Sequence, residues 1–152
     1  MYRSTKTYGN DRGLSCCFRQ WRADSHCNLI HGYSLGFRFT FEAETLDERN
    51  WVYDFGDCKW IKKYLDEVFD HTLVIAEDDP ELNIFKTLHG KGLANLFTLK
   101  GVGCEKFAEH LYNYVSPKVY IDTKGRVSVY SVEVFEHGAN SAIYINPYGS
   151  SV

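Results

Sequence analysis

Cys27 stands at the end of a polar loop, beside His26 and four residues before a His31-Gly32 step. Imidazoles near a cysteine favour the thiolate, which is the nucleophilic and proton-accepting form of the side chain. The segment is therefore a candidate for thiol chemistry. The alternative is that Cys27 is a small buried hydrophobe, which is the common role of a free cysteine.

Asp70 and His71 form a polar step inside an apolar surround, directly after a predicted helix. An aspartate beside a histidine can fix the tautomer of the imidazole, which suits a proton relay. The pair is therefore a second candidate for acid–base chemistry. A charge pair at the end of a helix is the alternative interpretation.

Two glutamates are candidates for ligand binding. Glu136 follows a predicted strand, and a carboxylate there can accept two hydrogen bonds from an amidine-like edge, such as N3 and the 2-amino group of a pterin or guanine. Glu105 opens the second predicted helix, where compensation of the helix dipole is the alternative role. Three histidines fit no such arrangement and are predicted to be surface or structural residues: His89, His110 and His137.

Hydrophobic periodicity predicts the elements that position these groups. Apolar and polar side chains alternate from Tyr33 to Phe41, which predicts a strand with one apolar face, and His31 has the parity of that face. Apolar stripes predict two amphipathic helices, one beginning near Gly56 and one over about 104–115. Further strands, the middle two joined as a hairpin, are predicted at 14–21, 118–122, 127–135 and 141–145. Antiparallel strands around two helices, in the order ββααββ, indicate an α+β domain.

The chain of 152 residues is predicted to be one domain, 1–152, with an enlarged connection over about 76–103 that packs on the domain edge. Its net charge is −3 and it has no Lys/Arg stripe, which argues against a nucleic-acid partner. No apolar run approaches roughly 18 residues and the N-terminus is polar, so we expect no membrane span and no signal peptide. The five cysteines match no disulfide framework, and free thiols predict a cytoplasmic protein.

Five short segments, taken in their order along the chain, resemble the 6-pyruvoyltetrahydropterin synthase / 6-carboxytetrahydropterin synthase family. They are residues 27–34, 51–59, 69–71, 103–105 and 136–144. The resemblance covers about residues 14–146, with an enlarged stretch between Asp78 and Gly101. It implies the tunnelling fold (T-fold), with a four-stranded antiparallel sheet and two helices on one face. It also implies that subunits pair their sheets into a homo-oligomeric ring, such as a hexamer, with active sites at the subunit interfaces.

The resemblance assigns a role to each candidate residue by its position. Cys27 corresponds to the catalytic thiol, and Asp70 with His71 corresponds to its relay partners. Glu136 corresponds to the anchor of the pterin edge. The residues implied to line the same pocket are Glu105 and Cys104.

Zinc is the cofactor that the resemblance implies. The family's three zinc histidines fall at Phe18, His31 and Tyr33, so His31 alone is retained. A catalytic zinc site normally has three protein ligands and an open position. We therefore expect the family zinc site to be absent, with no other cofactor. Gly103 and Cys104 also stand where the family has Thr or Ser.

The resemblance implies a pterin-processing lyase, related to 6-carboxytetrahydropterin synthase. Its substrate would be a small molecule of the dihydroneopterin (triphosphate) type, processed by thiol and Asp–His acid–base chemistry. The products would lead towards deazapurines of the queuosine type or towards pterins. Two alternatives are a metal-free aldolase or epimerase of the tunnelling fold, with Tyr33 as an acid–base group, and a non-catalytic pterin- or purine-binding paralogue.

Overall fold

The computed structural model describes residues 1–149, which form eight strands and three α-helices. The strands are β1 (Tyr2–Tyr8), β2 (Ser15–Phe18), β3 (His31–Ser34), β4 (Gly36–Ala43), β5 (Thr72–Ala76), β6 (Asn95–Leu99), β7 (Ser128–His137) and β8 (Asn140–Ile145). The helices are α1 (Lys59–Phe69), α2 (Leu82–Gly90) and α3 (Cys104–Asp122). Within these residues, every helix is too short or too polar for a transmembrane span.

The larger sheet is antiparallel, with the strand order β1-β4-β7-β8. Alternation along β4 sends Phe37, Phe39 and Phe41 to one face, where all three are fully buried. Helices α1 and α3 cover this face. The ring centroid of Phe69 in α1 lies 5.2 Å from that of Phe37, and α3 packs along β7 and β8. The predicted α+β class, with helices on one face of a four-stranded antiparallel sheet, is therefore confirmed.

A second sheet has the strand order β3-β2-β5-β6. Strand β2 pairs antiparallel with β3 and parallel with β5, and β5 pairs parallel with β6. One face of this sheet joins the main core through Phe18. The other face is covered by α2, whose Phe85 packs with Leu73 and Ile75. The enlarged connection predicted over 76–103 thus forms α2 and β6 and extends the sheet at its edge.

The long alternating run predicted as one strand is two strands in different sheets. The chain passes from β3 to β4 at Leu35, which is buried. The Asn10 side chain holds this crossing, because its amide donates to the carbonyl oxygens of Ser34 (2.7 Å) and Phe135 (3.2 Å). One alternating pattern therefore supplies both a core strand of the larger sheet and an edge strand of the smaller one.

Two details of the larger sheet differ from the predictions. The strand predicted at 118–122 is wrong, because buried Val115 and Val119 continue the helical stripe past Pro117 and α3 runs on to its end at Asp122. The hairpin is instead formed by β7 and β8. The sequence pattern does not predict β1, since most side chains of this edge strand are exposed and polar.

Candidate active site

The loop that carries Cys27 is a short, hydrogen-bonded turn. Residues His26–Asn28 form a single 3₁₀ turn, and the Ser25 hydroxyl accepts a hydrogen bond from the Cys27 amide (3.3 Å). The Cys27 carbonyl in turn accepts from the amide of Gln20 (2.9 Å). The half-buried thiol is thus held just beyond the end of β2.

A buried ion pair ties this loop to the enlarged connection. Arg19 donates from Nε and Nη2 to the two carboxylate oxygens of Asp79, each at 2.8 Å, and from Nη1 to the side-chain oxygen of Asn28 (3.2 Å). The Asp79 side chain is 1% exposed, and the Arg19 guanidinium holds the pKa of Asp79 below its usual range. The residue that follows Cys27 is therefore fixed to a segment far away in sequence.

Three rings from β2 and β3 form an aromatic cluster. His31 pairs with Phe18 across the two strands, and their ring centroids are 5.0 Å apart. Tyr33 lies on the same face, 5.9 Å from Phe18, which also packs against Phe107 (5.2 Å). Nδ1 of His31 lies 2.7 Å from the carbonyl oxygen of Leu29. Nδ1 therefore carries the proton, and Nε2 is the unprotonated nitrogen of the neutral ring.

The Tyr33 phenol lies near several predicted site residues. Partial burial raises the pKa of Tyr33, and the proximity of Glu136, Cys27 and Cys104 raises it further. The structure therefore brings together three candidate residues from three separate parts of the chain. Because its pKa is raised, the phenol is protonated at neutral pH and can donate a hydrogen bond. His137 also lies here, with its ring centroid 6.5 Å from that of Tyr33.

The start of α3 forms a wall of the same site. Gly103 precedes the helix with a φ of +104°, and a Cβ atom there would collide with the side-chain amide of Gln20. The positive φ favours glycine at this position, because residues with a side chain rarely adopt it. Burial, with smaller effects of Glu136 and Glu105, raises the pKa of Cys104 to about 12. Cys104 is therefore a neutral thiol rather than a nucleophile, and Glu105 is exposed beside it.

Asp70 and His71 lie in the turn between α1 and β5. Oδ1 of Asp70 accepts a hydrogen bond from the Ser15 amide (3.0 Å) and lies 2.9 Å from Nδ1 of His71. The Ser15 amide is the main cause of the lowered pKa of Asp70, and His71 adds to it. An ionised Asp70 keeps the proton of neutral His71 on Nδ1 and leaves Nε2 as a base. His71 has a φ of +52°, which is uncommon for a non-glycine residue, and its side chain is 82% exposed.

One chain does not bring Asp70 and His71 to Cys27. Asp70 is bonded to Ser15, the first residue of β2, whereas Cys27 is bonded to Gln20, just beyond the last residue of that strand. Five residues of extended chain separate these two points, which is about 16 Å. The candidate residues therefore form two groups, one at each end of β2.

Two features of the site carry no signal in the local sequence. Arg19 and Asp79 are separated by 60 positions, and neither belongs to a motif. His89, which the sequence assigns to the surface or to a structural role, lines an open cleft together with His71. Only the pairing of distant segments reveals these contacts.

The donor atoms at the predicted metal position do not fit zinc. Among residues 1–149, no three His, Cys, Asp or Glu side chains are grouped as metal ligands. Phe18 offers no donor atom, and the raised pKa of Tyr33 opposes the phenolate that a metal would need. His31 alone is an insufficient donor set for a catalytic zinc ion, which normally takes three protein ligands.

The family model described as 6-pyruvoyl tetrahydropterin synthase matches residues 10–147. The chain belongs to this family. A curated relative from Rickettsia typhi, named 6-carboxy-5,6,7,8-tetrahydropterin synthase, is 32% identical over 103 residues, which are 63% of this chain and 70% of the relative. A relative of the same name from Aquifex aeolicus is 27% identical over 147 residues, which are 95% of this chain and 88% of the relative.

Solved structures show the same fold. An uncharacterized protein from Wolinella succinogenes superposes with a TM-score of 0.78 at 21% identity, covering 95% of this chain and 98% of that one. The 6-pyruvoyl tetrahydropterin synthase of Plasmodium falciparum superposes with a TM-score of 0.64 at 15% identity, covering 95% and 97%. The predicted family and the tunnelling fold are therefore confirmed.

The Asp79→Asn variant tests the ion pair behind the Cys27 loop. Leaving the mostly buried guanidinium of Arg19 without its anionic partner should cost about 3 kcal/mol of unfolding free energy at pH 7. Since the folded-state pKa of Asp79 is lowered, its contribution is present above the unfolded value of about 3.9 and is lost as pH falls through the folded value. Urea denaturation at pH 7 and at acidic pH measures both effects. The control is Asp78→Asn, which breaks the exposed pair with Arg22 and should cost at most about 1 kcal/mol; equal losses in both variants would contradict the prediction.

The zinc content of the purified protein tests whether the donor atoms of the aromatic cluster can hold a metal ion. After dialysis first against zinc and then against zinc-free buffer, we expect the natural protein to retain no stoichiometric zinc. His31 is the single imidazole on the face of β2 and β3 that carries the aromatic cluster. The double variant Phe18→His/Tyr33→His restores three imidazoles on one face and should bind one zinc ion per chain. Addition of His31→Ala to the double variant should abolish that binding. Stoichiometric zinc in the natural protein, measured by elemental analysis, is the contrary result.

Proposed function

We propose that this chain is a pterin-processing lyase of the 6-carboxytetrahydropterin synthase type, which acts on dihydroneopterin triphosphate or a close analogue. Membership in the 6-pyruvoyl tetrahydropterin synthase family supports pterin chemistry and lyase activity, and the curated relatives support the reaction type. The observation that carries the proposal is that Cys27 and Glu136, from separate parts of the chain, both lie near enough to the Tyr33 phenol to raise its pKa. A thiol, a carboxylate and a hydrogen-bond donor are the groups that this chemistry needs.

Glu136 is the group that we propose for binding the pterin ring. Its carboxylate is half-buried at the end of β7, and its backbone carbonyl lies 3.4 Å from the side-chain amide of Asn10. A carboxylate on a fixed backbone can accept two parallel hydrogen bonds, from N3–H and the 2-amino group of the pterin. The neutral thiol of Cys104 would form the side of this pocket, and Glu105 would stand at its exposed rim.

Cys27 and His71 are the acid–base groups of the proposal, and Asp70 orients the histidine. One group removes a proton from the side chain of the substrate and the other donates a proton to it, so the total number of protons on the enzyme is unchanged. The two groups regain their starting states by proton exchange with water before the next turnover. Tyr33 stands where the family has a zinc ligand. Its protonated phenol can donate a hydrogen bond to a side-chain oxygen as negative charge develops there.

Two copies of the chain are proposed to complete the site. Within one chain, Cys27 and His71 belong to groups at opposite ends of β2. A homo-oligomeric ring, such as a hexamer, would bring Cys27 of one copy next to His71 of another. The exposure of the His71 side chain, at 82%, supports this arrangement, because the imidazole is available to a neighbouring copy.

The cellular setting is also a proposal. The free cysteines support a reducing compartment, and we propose a cytoplasmic enzyme that serves deazapurine synthesis of the queuosine type or pterin synthesis.

The Cys27→Ala variant tests the reaction. Conversion of dihydroneopterin triphosphate, followed by chromatography of the pterin products, should fall by about 100-fold or more when the acid–base thiol is removed. Cys17→Ala is the matched control, because this half-buried thiol packs on the α2 side of the smaller sheet. The activity of this variant should stay close to that of the natural protein. Tight pterin binding without turnover, and without an effect of Cys27→Ala, would instead identify a non-catalytic paralogue.

Co-assembly of two inactive variants tests the composite site. Cys27→Ala and His71→Ala chains, each inactive alone, should regain activity when they are co-expressed and assembled together. With random mixing, a site takes an intact Cys27 and an intact His71 from different chains in about a quarter of cases. Activity near that fraction supports a site shared between copies, whereas no recovery would mean that both residues act within one chain.

A further inference from the structure

His89 lies in the last turn of α2, and two backbone groups fix its ring. Nδ1 of His89 accepts a hydrogen bond from the amide of Leu96 (3.2 Å) and lies 3.1 Å from the carbonyl oxygen of Ala94. Because the backbone N–H of Leu96 points at Nδ1, the neutral ring accepts a hydrogen bond there and carries its proton on Nε2, whereas the charged ring carries a proton on both nitrogens and donates from Nδ1 to Ala94. In both states, the other ring nitrogen, Nε2, carries a proton.

His71 lines the same cleft as His89, but it presents a proton acceptor rather than a donor. Its Nδ1–H donates to the neighbouring aspartate, so Nε2 of the neutral ring is a proton acceptor. Strands β5 and β6 start side by side, because Thr72 pairs with Asn95. This register puts His71 next to Ala94, whose carbonyl oxygen contacts His89.

The two histidines line one open cleft of about 410 Å³. The remaining lining residues carry no ionisable side chain: Gly92, Leu93, Ala94 and Asn95. The two histidines that line the cleft therefore supply one N–H donor, Nε2 of His89, and one proton acceptor, Nε2 of His71. Such a pair suits an oxygen-bearing carbon chain, in which one atom loses a proton while a neighbouring oxygen gains negative charge.

We propose that His89 is a further catalytic residue, which donates a hydrogen bond from Nε2–H to an oxygen of the substrate side chain while His71 exchanges a proton with that side chain. The inference rests on the proposed function, because it takes His71 as the relay residue. His89 keeps its proton throughout, so no bond to it forms or breaks. The enlarged connection then supplies an N–H group that stabilises negative charge on the substrate, in an active site whose predicted metal position does not fit zinc.

If His89 were merely structural, it would act through Nδ1 alone. Two variants separate this structural role from the proposed role of Nε2–H as a hydrogen-bond donor. In His89→Asn, the amide lies near the position of Nδ1 and can keep the backbone contacts, but nothing replaces Nε2. In His89→Gln, the longer side chain carries an N–H group to the position of Nε2. A structural role is served better by Asn, and a donor role is served better by Gln.

The test uses full-length protein and dihydroneopterin triphosphate. We expect His89→Asn to lower kcat by about 100-fold, with a smaller change in KM, since one hydrogen-bond donor to a developing negative charge is lost. His89→Gln should recover at least about 10-fold of that loss. A kcat of His89→Asn equal to that of the natural protein overturns the inference. Equal losses in both variants, together with a lowered melting temperature, overturn it as well, because they identify a structural role.

Ring ¹H–¹³C spectra of the natural protein, titrated with the same pterin, separate this inference from the proposed function. Shifts of both the His89 and the His71 signals support the inference. A shift of His71 alone overturns the role of His89 and leaves the proposed function standing. A protein that shows neither turnover nor a shift of either signal overturns the proposed function, and the inference with it.

Discussion

The register of β2 is the constraint on which both groups of site residues depend. The amide of Ser15 holds Asp70, the side chain of Arg19 holds the loop after Cys27, and the amide of Gln20 holds Cys27 itself. Phe18 anchors the strand, because its ring is 1% exposed and packs against Phe107 of α3 and against His31 and Tyr33 of β3. A slip of one residue would exchange the two faces of the strand, and it would move a buried ring outward and a charged group into the core. The packing of one side chain thus fixes the position of every group bonded to this strand.

The aromatic cluster determines which chemical groups β2 and β3 of the smaller sheet can present to a substrate. A metal centre needs polar donors in an open position, whereas Phe18 fills its place with a ring that also packs against Phe107. Tyr33 keeps a polar atom at the surface of the cluster, but as a donor of a proton rather than as an anionic ligand. The residues at these two positions are therefore coupled. An imidazole at one position without the other would add a polar group to an apolar cluster and would still not complete a ligand set.

Much of the fold follows from local pattern, whereas the contacts that shape the site do not. The alternation through β3 and β4 and the stripes of α1 and α3 are visible in the sequence, because burial repeats with the period of each element. The polar strand β1 is specified by its partner β4 rather than by its own residues. Val119 shows the opposite case, where one buried residue keeps α3 helical in a segment whose local pattern predicts a strand. Arg19, Asp79 and His89 are brought into place by pairing between distant segments, which leaves no periodic signature.

The ion pair between Arg19 and Asp79 has a consequence for local stability. Opening either the Cys27 loop or the enlarged connection separates these two charges, and an unpaired buried charge costs several kcal/mol, so the two segments should unfold and close as one cooperative unit. Any ligand that stabilises the closed loop would then also raise the free energy of opening the connection. By the same linkage, a change in the length or sequence of the connection alters how firmly the Cys27 loop is held. The connection over 76–103 is thereby a means of setting the stability of the Cys27 loop from a distance.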